Sequence, residues 1–152
     1  MRLKIENVYT RHSPDNVFNS MNYEQHVKFL YKLLKQREPH QNISHKELPP
    51  YHAHQAFVGS KPYLEWNIVY ADDEMVGAFY LTRDYEIGIF VDREKRGKGM
   101  GDYALKWLLD NLRGRPVYAN INPNNERSIK FFMTHGFKLH KKEETQNVYI
   151  LY

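Results

Sequence analysis

The feature that most narrows the fold is a glycine-rich turn, Arg96-Gly97-Lys98-Gly99-Met100-Gly101. Ahead of it, Ile87-Gly88-Ile89-Phe90-Val91 reads as a strand. Behind it, Ala104, Leu105, Leu108, Leu109 and Leu112 keep helical spacing until Gly114 and Pro116 end the segment. A strand that turns through glycines into a helix leaves the first helical N–H groups bare and the approach clear of side chains. Convergent donors and the positive end of a helix dipole suit a diphosphate. Glycines also mark ordinary turns, so the strand-turn-helix setting is what favours the phosphate reading. The six-residue G-x-G-x-x-G spacing and the G-x-x-x-x-G-K-[ST] loop are both absent, which disfavours a dinucleotide or nucleoside-triphosphate site.

Other segments extend this pattern. Residues 3–9 alternate polar and apolar in the manner of a half-buried strand. Val27, Leu30, Tyr31 and Leu34 recur at i, i+3, i+4 and i+7, which predicts an amphipathic helix over residues 22–36. Residues 38–51, with Pro39, Pro49 and Pro50, read as an irregular connection with room for one short helical turn. Residues 63–70, 75–82 and 85–91 are β-rich and joined by short polar turns, which favours an antiparallel meander. Residues 116–121 form a strand candidate, and Pro123-Asn124-Asn125-Glu126 supplies the cap and first turn of a helix carrying Ile129, Phe132 and Met133. Residues 137–140 and 148–152 then read as a last hairpin.

Composition sets outer limits. With 152 residues, 41% hydrophobic and 26% charged, the chain has an ordinary globular balance, and 1–152 is read as one domain. It has no cysteine, which excludes disulfides, thiolate zinc sites and cysteine nucleophiles and suits a reducing compartment. Charges interrupt the first apolar stretch, and no run approaches the roughly 18 apolar residues of a membrane span, so a cytoplasmic protein without a membrane partner is the expectation. The net charge of +4 suits nucleic acid, an anionic cofactor or an acidic substrate. Basic residues gather at Lys32, Lys35 and Arg37, which read as a solvated helix face, and in the turn Arg93-Glu94-Lys95-Arg96-Gly97-Lys98. An anionic cofactor explains the second group. With no continuous basic stripe interleaved with aromatics, nucleic acid ranks last as a partner.

A second segment, Asn125-Glu126-Arg127-Ser128-Ile129-Lys130-Phe131-Phe132 with Gly136-Phe137, stands downstream of the glycine turn. Together the two resemble the motifs of the GNAT superfamily of acetyl-CoA-dependent N-acetyltransferases, namely its R/Q-x-x-G-x-G/A loop and its N-x-x-A/S-x-x-x-Y...G-F segment. The resemblance covers residues 67–137 in motif and the whole chain in element order. It implies an α/β (α+β) fold: a mixed, mostly antiparallel central sheet flanked by helices, with the fourth and fifth strands splayed apart. It further implies acetyl-CoA as acyl donor and no metal. Backbone groups of Ile89, Phe90 and Val91 are then expected to pair with the pantetheine arm and acetyl carbonyl. Following Arg96, the amides of Gly97, Lys98, Gly99, Met100, Gly101 and Asp102 are expected to hold the pyrophosphate. Asn125 would meet the arm from across the cleft, or serve as a helix cap, or both.

Acetyl transfer to an amine needs a base to free the nitrogen lone pair and benefits from an acid for the leaving thiolate. Family members often carry a tyrosine acid seven residues after the asparagine; here that residue is Phe132. Some carry a glutamate base five residues before it; here that residue is Asn120. Glu86, near the start of the fourth strand, is the nearest remaining carboxylate and the candidate catalytic base, against the plainer reading of a solvated or ion-paired strand end. Tyr80, Tyr85, Tyr149 or water are left as acids. In His52-Ala53-His54 an extended backbone would put both imidazoles on one face; substrate contact is preferred there over a metal, for want of a third ligand. Tyr63, Trp66 and Phe79 are expected in the sheet core rather than as an aromatic platform. The preferred partner is a small-molecule amine, such as an amino sugar or its nucleotide conjugate. A protein or peptide amine and a non-catalytic acyl-CoA-binding module are the alternatives, and a homodimer is left open.

Overall fold

The computed structural model describes residues 2–10, 19–37, 47–96, 99–112 and 114–152, with backbone only at 19–21. Strands β1 (Leu3–Asn7), β2 (Glu65–Ala71), β3 (Glu74–Leu81) and β4 (Ile87–Val91) form an antiparallel sheet in that order. Asp72 and Asp73, at φ 49° and 70°, make the β2–β3 connection with the left-handed backbone that a tight hairpin demands. Alternation along β2 divides the core. Trp66 and Ile68 face one cluster, while Val69 and Ala71 face another.

Each sheet face is covered by helices. α1 (Asn19–Lys35) and α2 (Tyr51–Gly59) bring Val27, Phe29, Leu30, Leu33 and Val58 onto Trp66, Ile68 and Ala78. On the opposite face α3 (Met100–Leu112) packs Met100, Ala104, Leu105 and Leu108 against Val69, Phe79 and Leu81. Burying such side chains contributes roughly 1.5–3 kcal/mol each, so these stripes fix all three helices on the sheet. The second sheet holds β5 (Val117–Ile121), β6 (Lys138–Lys142) and β7 (Asn147–Leu151) in the order β5-β7-β6. Between β5 and β6, α4 (Glu126–Thr134) buries Phe132 in the α3-side core.

Among the described residues the two sheets share one β-bridge, the parallel pairing of Glu86 with Tyr118, backed by Tyr118 N–H donating to the Tyr85 carbonyl at 2.8 Å. Beyond Glu86, β4 and β5 carry no further pairing. The structure is thus the mixed, mostly antiparallel fold expected, with its fourth and fifth strands splayed.

Expected boundaries agree to within a few residues everywhere except at α2. Most of the irregular connection, residues 38–46, lies outside the described residues, but its last residue opens a helix of nine residues. Pro50 stands at the N-cap, a helix-starting place for proline, and His54 and Val58 form the buried stripe. Because half of that stripe is a histidine, the apolar period is hard to see. The helix also corrects the reading of His52-Ala53-His54. Residues two apart on a helix face different ways, and only His54 is buried, its Nε2 lying 2.9 Å from the Val27 carbonyl and so tying α2 to α1. Among the described residues no three His, Asp or Glu side chains gather as a metal site, and no helix is long and apolar enough to cross a membrane.

Candidate active site

The cleft lies where β4 and β5 part. Thr82 N–H donates to the Glu86 carbonyl at 2.9 Å and Asp92 N–H to the Val76 carbonyl at 2.8 Å. Antiparallel alternation between those two bonds turns the backbone groups of Gly88 and Phe90 toward β3 and those of Ile87, Ile89 and Val91 toward the gap. The Phe90 carbonyl does face β3, since a β-carbon at Gly77 would lie 2.7 Å from it. Of the three strand residues expected to offer main-chain groups, Ile89 and Val91 are so placed. Phe90 offers its ring instead, and that ring borders all three cavities of the cleft.

At the far end of β4 the chain enters a short 3₁₀ turn, Arg93–Lys95, and then the glycine segment. Gly97 and Lys98 lie outside the described residues. Gly99 has φ +71° with open space where a side chain would be, and α3 begins at Met100, so the turn needs glycine for its backbone and leaves the helix start accessible. Gly101 lets α3 approach α4; a β-carbon there would lie 3.2 Å from the Phe131 ring. A cavity of about 160 Å³ between these elements is bordered by Ile89, Val91, Arg96 and Gly101 and, from α4, by Arg127 and Ser128. Met100 is buried in the core, so only its amide is a candidate contact. Asp102 directs its carboxylate to His135 Nε2 at 2.6 Å, away from any anion role. Arg127 escaped sequence reading because its value depends on which way α4 faces.

Next to this lies a cavity of about 350 Å³ that brings together Glu86, Asn120, Asn125, Phe132 and Tyr80. Asn125 caps α4, its Oδ1 accepting from Ser128 N–H at 3.3 Å, while also bordering the cavity. The Glu86 carboxylate accepts a hydrogen bond from Asn120 Nδ2. The residue standing where a base was sought therefore holds the candidate base from the neighbouring strand. Burial pushes the Glu86 carboxyl above its ordinary range; the Asn120 bond opposes that rise, and Asp84 and Glu143 add to it. Phe132 is buried and closes the floor.

Of the tyrosines considered, Tyr80 alone borders this cavity among the described residues. It sits opposite Gly88 in the β3–β4 register, and any β-carbon at Gly88 would collide with the Tyr80 ring, so the glycine lets the ring lie across β4. Burial raises the Tyr80 pKa; Arg37 works against that rise and Glu86 with it. The hydroxyl thus stays a proton donor. Tyr149 is in the core, and Tyr85 stacks under the Arg115 guanidinium at 5.1 Å.

A third cavity, about 630 Å³, opens between α1, α2 and the sheet. Phe79 and Trp66 are buried as expected, Trp66 also bordering this cavity, while Tyr63 is only partly buried there and stacks on Tyr80 at 4.2 Å. At the basic end of α1, Lys32 and Lys35 are exposed as a solvated face requires, while Arg37 is only partly so. Lys32 Nζ pairs with the buried Asp92 at 2.9 Å, and the Arg37 guanidinium lies 4.4 Å from the Phe90 ring centre, the residue bordering each of these three cavities.

Residues 27–137 match the model of the acetyltransferase (GNAT) family. The peptidyl-lysine N-acetyltransferase YjaB of Salmonella typhimurium is 29% identical over 83 residues, 55% of this chain and 56% of that protein, so the chain spans about half the length of this curated relative. An acetyltransferase from Thermus thermophilus superposes with a TM-score of 0.74 at 18% identity, covering 99% of this chain and 97% of that one. The Campylobacter jejuni N-acetyltransferase PseH in complex with acetyl coenzyme A gives a TM-score of 0.68 at 14% identity, covering 99% and 98%. With the family model matching more than two thirds of its length, the chain belongs to the acetyltransferase (GNAT) family.

Proposed function

We propose that the protein transfers an acetyl group from acetyl-CoA to the primary amine of a small molecule, by direct attack within a ternary complex. The observation that carries this reading is the cavity in which Glu86, held by Asn120, meets the open edge of β4 and the Tyr80 hydroxyl. The cleft fits the donor: the bare start of α3 beside Gly99, with Arg96 and Arg127, suits a pyrophosphate, and the unpaired groups of Ile89 and Val91 suit an amide-bearing arm. PseH, of the same fold, is a complex with acetyl coenzyme A.

In this mechanism Glu86 takes a proton from the acceptor ammonium, the freed amine attacks the thioester carbonyl, and the C–S bond breaks as the amide forms. Tyr80, kept protonated by burial, donates to the departing thiolate and is reprotonated by the second proton, which the attacking nitrogen sheds as the amide forms. Because Tyr80 comes from β3 and Glu86 from the start of β4, the acid does not depend on position 132, where Phe132 stands.

The aromatic cavity of about 630 Å³ on the acceptor side suits the body of a small molecule, and the cysteine-free chain suits a reducing cytoplasm. Thiol release from acetyl-CoA across a panel of amines, with the product's mass checked for one added acetyl group, tests the reading. Tight acetyl-CoA binding with no turnover on any amine would instead establish an acyl-CoA-binding module. Acetylation of lysine peptides in preference to every small amine would move the acceptor to protein.

A further inference from the structure

Three charged side chains, Lys35, Arg37 and Glu47, border the aromatic cavity, and for Arg37 the reaction supplies no partner. Arg37 directly follows the end of α1, and that end is clamped: Gln36 donates through Nε2 to Asp92 at 3.1 Å, its Oε1 accepts from Arg93 N–H at 2.8 Å, and its carbonyl accepts from the Arg93 guanidinium at 2.6 Å. The side chain therefore leaves a fixed point. Its guanidinium lies over Phe90, and the residue borders the aromatic cavity, the one holding Glu86 and the small one beside Arg96. Among the described residues no carboxylate lies within ion-pairing distance of it. Tyr63 and Tyr80, the polar groups nearest in effect, are phenols kept neutral by burial.

A partly buried cation without a counter-charge is costly, and guanidinium is the group best shaped to take two oxygens of an oxyanion. We propose that Arg37 is the specificity-determining residue for the acceptor: it binds a carboxylate or phosphoryl group on the amine substrate, whose apolar or planar body fills the cavity of Phe57, Tyr63 and Trp66. This rests on the acetyl-transfer reading and narrows it to amines that also carry an oxyanion. Plain polyamines and unmodified amino sugars are then poor acceptors. Arg37 also borders the small cavity of Arg96 and Gly101, so a donor phosphate is the rival partner, and the KM of acetyl-CoA in the Arg37 variants decides between the two.

Matched acceptors test this: phenylalanine against phenylalaninamide for a carboxylate, and glucosamine 1-phosphate and UDP-glucosamine against glucosamine for a phosphoryl group. The expected result is that at least one anionic member has the higher kcat/KM. Arg37→Gln then raises the KM of that acceptor by about 10- to 100-fold, a charged hydrogen bond's worth, and leaves the KM of acetyl-CoA within about twofold. Arg37→Lys should recover part of the loss, having charge without the fork. Binding of the same compounds to the CoA-loaded protein, measured by calorimetry, separates this proposal from the chemistry. Arg37-dependent binding of an anionic member without turnover would remove the transferase reading and keep the oxyanion site. Neutral members bound or acetylated as well as anionic ones, or an Arg37→Gln effect confined to acetyl-CoA, would overturn it.

Discussion

The two sides of the cleft are made of different material. Toward α3, the proposed donor side presents mainly backbone: the open groups of Ile89 and Val91, the positive-φ Gly99 and the bare helix start. Toward α1 and α2, the proposed acceptor side presents side chains, among them Phe90, Tyr63, Trp66 and the Arg37 guanidinium. Backbone recognition requires particular glycines at particular spacings, which leaves a local signature. Side-chain recognition draws single residues from elements far apart in the chain, and any one of them can change without disturbing the rest. A donor shared by a family and an acceptor particular to each member are the natural users of these two surfaces.

Where the sides meet, the largest effect is expected. Glu86→Gln should lower kcat by about 10²- to 10⁴-fold near neutral pH, the usual contribution of a general base. The loss should shrink as pH rises toward the amine's own pKa, since the free amine then needs no base. In the unmodified protein the Glu86 carboxyl is raised, chiefly by burial, so the acidic limb of kcat/KM should lie above the ordinary glutamate range. A pH profile of thiol release for both proteins checks this. A profile unchanged by the substitution removes Glu86 from catalysis and leaves the cleft without a base.

Next in size is a change confined to the donor side. Gly99→Val places a β-branched residue at φ +71°, a strain of about 1–3 kcal/mol, and fills space open to the proposed pyrophosphate. The KM of acetyl-CoA should rise by roughly tenfold or more, with the acceptor KM little altered. Equal effects on both would show that the two sides are not separable.

That separation also explains what could be read from the chain. The strand-turn-helix at residues 87–112 and the α4 segment announced themselves because glycine, a cap and helical spacing are local properties. The splayed pair β4 and β5 followed from the same two segments. α2 stayed hidden because its buried stripe includes His54, a residue that counts as polar yet spends its ring nitrogen on the Val27 carbonyl. Arg37 reads in the sequence as part of a solvated face because it stands in one short basic group with Lys32 and Lys35; only the fold brings Phe90 beneath it. The same holds for Asn120 and Glu86, which lie 34 residues apart and meet only across the sheet junction.

Asp92 belongs to both sides and should show it. The side chain is 1% exposed and accepts from Lys32, Gln36 and the Glu94 N–H, clamping the end of α1 to the turn that leads to the glycines. Burial alone would raise its pKa, but these three bonds outweigh it and hold the carboxyl below its ordinary 3.8. A depressed carboxyl stabilises the fold above its unfolded pKa and loses that contribution as pH falls through the folded one. Asp92→Asn should therefore cost about 1–3 kcal/mol at neutral pH, a drop of several degrees in Tm, with the gap to the unmodified protein closing below about pH 4. Lys32 is half exposed, so Coulomb attraction contributes little of this. Both substrates' KM values should rise together, the one effect that crosses the cleft.

The smallest effect bears on the seam itself. Asn120 donates to Glu86 and so favours the charged carboxylate; removing that donor lets burial act unopposed and raises the Glu86 pKa further. Asn120→Ala should accordingly shift the acidic limb of kcat/KM to higher pH and cost only a few-fold in kcat on the plateau, because the base remains and only its protonation and aim have changed. Asn120→Asp should shift the limb further in the same direction, since two adjacent carboxylates resist ionising together. A limb that stays fixed in both variants would mean that Glu86 is not the group that titrates, and that the bond across the junction serves the pairing of the two sheets alone.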